Sequence, residues 1–369
     1  MKRLAWIDNL RIMVIITVVF LHSAVTYSGM GGWYYKEGAD IGKMNTIFFA
    51  FFLTFTQAYF MSLLFMVSGY FSRKSLGRKS AWQFLFGRLK RLGIPLLVFI
   101  FLIHPLAVIL VYPDLDIREW YFNGIVNFQF IGWTGPLWFV EALLIFAILY
   151  GLIRHFFFPT GRKLSFRLSI LNVLLMILGI TFFAFVLRLV YPIGTNFYNL
   201  QFGFFSAYIF MFAFGIIAFT SGIFEKITLR DGWQWLLISL GIGIPAWFVL
   251  MIYGGPFESK MLIEGGMNWP AFFYALWESF FCVTFILALI GIFRHKLDIN
   301  GPFQKFLSDN AFGVFVFHTP VLIGISMLLK NISIAPIPKF ILVAVLAVTT
   351  SFCVSWLIRR VPLFRKVFS

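Results

Sequence analysis

Apolar residues in this chain fall into long uninterrupted runs, separated by short clusters of charge, glycine and proline. Ten runs stand out, at approximately 10–28, 46–70, 92–112, 136–153, 168–190, 200–221, 233–253, 271–293, 310–329 and 339–358. Each is close to the ~20 residues an α-helix needs to cross a bilayer and too long for a barrel strand. In lipid every backbone N–H and C=O must be satisfied within the segment or by a closed barrel, so runs of this length predict helices. The expected fold is therefore all-α, a polytopic membrane helix bundle with about ten transmembrane helices. No long polar linker and no fixed-period repeat interrupts the pattern, which predicts a single membrane-embedded domain over 1–369.

Composition strengthens this picture, with 61% hydrophobic and 12% charged residues. That is far outside the range of water-soluble domains. The net charge of +16 would suit a nucleic-acid binder, but its distribution argues against one. With the N-terminus placed in the cytoplasm, the inner segments hold 22 Lys and Arg, including Lys2, Arg3, Arg162 and Lys163, and the outer ones 6, including Lys260. Such a split is the signature of orientation by retained positive loops, and it predicts both termini cytoplasmic. The expected location is the cell membrane as a multi-pass protein, the cytoplasmic membrane if the cell is bacterial, with lipids as neighbours and no nucleic acid. Arg11 interrupts the first run, so that run reads as a retained helix rather than a signal peptide. Cys282 and Cys353 both lie in apolar runs, which indicates neither a disulfide framework nor a zinc site, and no metal is expected.

An ionisable residue inside an apolar run is costly and marks a functional candidate. The set here is Arg11, His22, Glu141, Arg188, Glu278 and His318, with His104 and the cluster Arg88, Lys90, Arg91 near run ends. Arg11 and His22 are separated by close to three helical turns, so they share one face about 16 Å apart. Asp8, three residues before Arg11, is placed to pair with it. An imidazole suits proton abstraction from an alcohol, while a purely structural His22 would bond a neighbouring helix. Arg88 and Arg91 sit three apart on a helix and suit a phosphate or pyrophosphate, or ordinary lipid headgroups. Glu141 is placed to hold the His22 imidazole, bind an acceptor hydroxyl, or simply bond another helix. Arg188 and Glu278 suit a buried pair that fixes packing. Trp33, Tyr34, Tyr35, Trp120, Tyr121, Trp133 and Trp269 fall between runs, as a sugar-stacking surface or an interfacial belt would.

Five segments in order resemble the acyltransferase-3 family of membrane-bound acyltransferases. WIDNLRIMVIITVVFLHSA has an Arg and a His spaced as in the family's first motif; SGYFSRKS resembles its Gly-aromatic motif; RLKR is similar to its Arg-x-x-Arg motif. PLWFVEALL and FGVFVFHTPVL resemble its Leu-Trp and late Tyr-x-x-His-Pro segments. The resemblance implies a ten-helix bundle that takes acyl-coenzyme A, acetyl-coenzyme A foremost, from the cytoplasm and acylates a hydroxyl of an extracytoplasmic carbohydrate or related acceptor. It also implies His22 as general base or transient acyl carrier, Arg11 as its motif partner, and Arg88 and Arg91 as contacts of the coenzyme A phosphates. Phe315 stands where Tyr is common and Thr319 separates His318 from Pro320, which weakens a role for His318. There is no appended hydrolase-like domain, so a second transfer step would need a partner protein. The rival class is a secondary transporter or a lipid or glycan flippase, which a bundle with a few buried charges also suits.

Overall fold

The computed structural model describes residues 4–37, 41–157, 167–256 and 262–367. Lys2, Arg3, Arg162, Lys163 and Lys260, counted above, lie outside the described residues. Among those described, ten helices are long and apolar enough to cross a membrane, and no strand is present. They are α1 Ala5–Ser28, α2 Lys43–Leu76, α3 Ala81–Val111, α4 Gly135–Phe156, α5 Ile170–Val190, α6 Phe202–Ser221, α7 Leu229–Tyr253, α8 Trp269–Lys296, α9 Pro302–Leu328 and α10 Pro336–Ile358. Each apolar run lies on one helix. Several helices outrun the apolar stretch: α3 starts at Ala81 and α9 at Pro302. Apolarity marks only the part of a helix that avoids water, whereas the hydrogen-bond ladder propagates into polar sequence of good helix propensity.

The chain divides into two compact units. The first comprises Met1–Leu10, Gln57–Phe84 and Ala147–Ile299. Small residues set its helix spacing. A Cβ on Gly69 would lie 2.1 Å from the Phe212 carbonyl oxygen, and one on Gly215 would lie 1.9 Å from that of Met66. Gly232 and Gly291 also bring α7 and α8 close, since a Cβ on Gly291 would meet the Gly232 Cα at 2.7 Å. Close backbone approach is how helices gain packing energy where lipid gives no hydrophobic drive. In this unit Arg188 is 1% exposed and forms an ion pair with Glu278, while its Nε donates to the Gly203 carbonyl at 3.0 Å. The Phe204 and Tyr274 rings flank the guanidinium.

The second unit comprises Arg11–Thr56, Leu85–Phe146 and Asn300–Ser369. Within it α9 packs along α10 and against the second half of α3. Ser23 of α1 donates to the Phe340 carbonyl of α10 at 3.1 Å. Helix α3 carries two π-helical stretches, Leu89–Gly93 and Phe99–Ile103, each followed two residues on by a proline, Pro95 and Pro105. Proline lacks the N–H that the preceding turn expects and its ring crowds the carbonyl four residues back. Widening the turn to i→i+5 bonding accommodates both defects while the helix continues.

Candidate active site

His22, Arg11, Glu141, Arg88 and Arg91 all belong to the second unit. The site is built around His22, in the penultimate turns of α1. The ring meets His318 of α9, 296 residues away, with His318 Nε2 3.1 Å from His22 Nδ1. His318 is fully buried, and its Nδ1 lies 2.8 Å from the Phe315 carbonyl. These contacts assign the protons. A carbonyl only accepts, so Nδ1 of His318 donates to Phe315, and with one proton per ring its Nε2 is an acceptor. The proton between the two rings therefore sits on His22 Nδ1, which donates to His318. Nε2 of His22 is left with its lone pair. That is the form in which an imidazole takes a proton from a hydroxyl or attacks a carbonyl.

Trp33 lies over the same ring, with centroids 4.1 Å apart and planes 18° from parallel. It reaches that position because the chain turns back after α1. Gly29 and Gly31 adopt φ of 71° and 76°, a left-handed conformation that favours glycine, and the Glu37 amide donates to the Thr26 carbonyl at 2.8 Å. A half-buried ion pair between Glu37 and Lys339 of α10 anchors the returning segment. The Trp33 indole Nε1–H is buried without an acceptor among the described residues.

Next to Trp33, the Tyr34 hydroxyl is hydrogen-bonded to Nδ1 of His104 at 2.6 Å. Burial raises the Tyr34 phenol above its ordinary pKa, so the hydroxyl keeps its proton. His104 stacks on Trp133, which stacks on Trp120 at 4.5 Å and 9°. Trp120 is carried by the short helix Ile117–Val126, whose first turn is capped by the Asp116 carboxylate accepting from the Arg118 and Glu119 amides. Gly124 makes room for Trp133, since a Cβ there would lie 2.1 Å from the indole ring. Trp133, His104 and Trp120 thus form one cluster of near-parallel rings, His104 and Trp120 lying 6.0 Å apart. Trp269, in the first unit, is 52% exposed.

Tyr34 also packs on Gly135, where a Cβ would meet the phenol oxygen at 2.6 Å. The adjacent Thr134 hydrogen-bonds Glu141 of α4. Oε2 of Glu141 is buried with no hydrogen-bond partner among the described residues. The described partners of the His22 ring are His318, Trp33 and the Val18 carbonyl, so Glu141 is not what orients it. Arg11 projects from α1, an unbroken helix between it and His22, which keeps the two on one face about 16 Å apart. Arg88 is half-buried at the last α-helical residue before the first π-helical stretch of α3, and Arg91 is exposed within that stretch. The spacing rule assumed an α-helical turn between them; the turn is the wider π form imposed ahead of Pro95. The two charges are nonetheless close enough to interact. Among the described residues no group of three or more His, Cys, Asp or Glu side chains converges as metal ligands.

His318 and Trp33 are the two site residues that the sequence reading left without a catalytic connection. The signal for His318 was present, as a histidine inside an apolar run has to find a polar partner. Its partner could not be read, because helices far apart in sequence meet only in the folded bundle.

A family model for acyltransferase-3, described as an acyltransferase domain, matches residues 4–360, an interval that includes every residue of the site. No curated protein and no solved structure matches the chain.

Proposed function

We propose, given that the chain belongs to the acyltransferase-3 family, that it transfers an acyl group from acyl-coenzyme A, acetyl-coenzyme A foremost, to a hydroxyl of an extracytoplasmic carbohydrate or related acceptor. The observation that carries the reading is the contact of His22 Nδ1 with His318 Nε2 at 3.1 Å, which leaves Nε2 of His22 to carry the lone pair once the Phe315 carbonyl holds the His318 proton. In the reaction, Nε2 takes the acceptor's hydroxyl proton as the oxygen attacks the thioester carbonyl. The tetrahedral intermediate then collapses with cleavage of the C–S bond, and the imidazolium returns the proton to the departing sulfur. The products are an ester and free coenzyme A. The same lone pair would serve an acyl-imidazole route, in which Nε2 attacks the thioester first and the hydroxyl then attacks the acyl-imidazole.

Arg88 and Arg91 supply two adjacent guanidiniums for the coenzyme A phosphates, and Arg11 lines the face of α1 that leads to His22. Glu141 Oε2, buried and unpartnered, is suited to accept from an acceptor hydroxyl. With both termini cytoplasmic in the cell membrane, the Arg pair faces the pool of donor and His22 lies toward the acceptor side.

Purified protein incubated with acyl-coenzyme A should release free coenzyme A when the acceptor is present. Release that never depends on acceptor, alongside acceptor movement across a sealed vesicle, would favour a transporter instead. Arg88→Ala and Arg91→Ala should each raise KM for acyl-coenzyme A about tenfold or more with a smaller change in kcat.

A further inference from the structure

A second cationic site sits where the first turns of α9 meet the last turns of α10, around a cavity of about 750 Å³. Its walls include Asp309, Asn310, Trp356, Arg359, Arg360 and Arg365. The Arg359 guanidinium is fixed. Its Nη1 donates to Oδ1 of Asn310 at 3.1 Å, and Asn310 is itself held, its amide donating to the Phe306 carbonyl at 2.8 Å and its carbonyl groups accepting from the Ser355 hydroxyl. The Nε of Arg359 is buried and has no hydrogen-bond partner among the described residues. Arg360 lies flat against the Trp356 ring, its guanidinium carbon 3.8 Å from the ring centroid. Arg365 is near enough to Arg359 for the two like charges to repel, and one carboxylate, Asp309, offsets them.

Ordinary positive-inside arginines extend into the headgroup layer and need no fixed geometry. Here three guanidiniums converge on one cavity, one tied through a buried asparagine and another stacked on an indole. Gathering like charge this way is unfavourable unless an anion with several acceptor oxygens joins it, and guanidinium forks match phosphate oxygens two at a time. We propose that this cavity binds a phosphate group, from an anionic phospholipid headgroup or from a nucleotide-bearing soluble ligand, at a site separate from Arg88 and Arg91. A basic pocket between helices at the membrane surface is a recurrent headgroup site, and Trp356 would lie beside the glycerol or the base.

The test uses full-length protein in phosphatidylcholine nanodiscs, read by native mass spectrometry. One arm dopes the discs with phosphatidylglycerol; the other adds coenzyme A or its 3′-dephospho form. The variant with Arg359→Lys, Arg360→Lys and Arg365→Lys keeps every positive charge and so keeps the topology, but loses the forks. Retention of phosphatidylglycerol or of coenzyme A should fall about tenfold in that variant, and the arm in which it falls names the source of the phosphate. Arg360→Gln, at an exposed position, should give a smaller loss in the same arm. Equal retention by the wild-type and lysine proteins, or retention of no phosphate-bearing probe by the wild-type protein, would overturn the proposal.

Discussion

The His22 ring is held by two hydrogen-bond partners, the Val18 carbonyl of its own helix and His318 Nε2 at 3.1 Å from Nδ1, and His318 is the one that reaches it from another helix. His318→Ala removes the inter-helix partner and leaves the Val18 carbonyl, so the tautomer and rotation of the ring are less restrained. We expect kcat to fall about 10²-fold with KM for acyl-coenzyme A unchanged, measured by steady-state kinetics on purified protein. Unaltered kcat would show that His318 only fills space. Arg11 and His22 were legible as one face of a helix, because their spacing is a local property of α1. The His318 contact was not, and its departures from the late family segment even argued against a role. Trp33 was placed in a belt or a sugar platform by its position between apolar runs; the backbone reversal at Gly29 and Gly31 puts it on His22 instead.

At the scale of elements, helix existence followed from apolar run length, and all ten spans are present. What run length could not show was the interior of α3, where Pro95 and Pro105 convert α-helical turns to π-helical ones. Nor could it show which glycines are packing contacts. In the first unit Gly215 sits where an added methyl would overlap the Met66 carbonyl. Gly215→Ala should therefore destabilise the protein by about 2 kcal/mol or more, seen as a lower midpoint in thermal unfolding in detergent. Gly241, whose added Cβ would meet nothing within 4 Å, provides the control, and Gly241→Ala should leave the midpoint nearly unchanged.

Across the whole molecule, the residues assigned to transfer belong to the second compact unit, while the Arg188–Glu278 pair belongs to the first. The sequence suggested a buried pair that could fix packing, and the structure forms that ion pair with both side chains buried. Arg188→Leu alone would leave a buried carboxylate without its partner, at a cost of ~3–5 kcal/mol, whereas Arg188→Leu with Glu278→Leu should recover most of that stability. Unfolding midpoints measure this cycle, and kcat per folded molecule should stay near wild type in the double variant. A loss of kcat without loss of stability would place the pair in the reaction.

The central claim is that His22 moves an acyl group onto an envelope acceptor. Its most direct test is the mass of cell-envelope polymers from cells carrying the wild-type gene, the His22→Ala variant at equal membrane abundance, or neither. The account predicts an added acyl mass with the wild-type gene alone. The same added mass in the His22→Ala cells, or none with the wild-type gene, would contradict it.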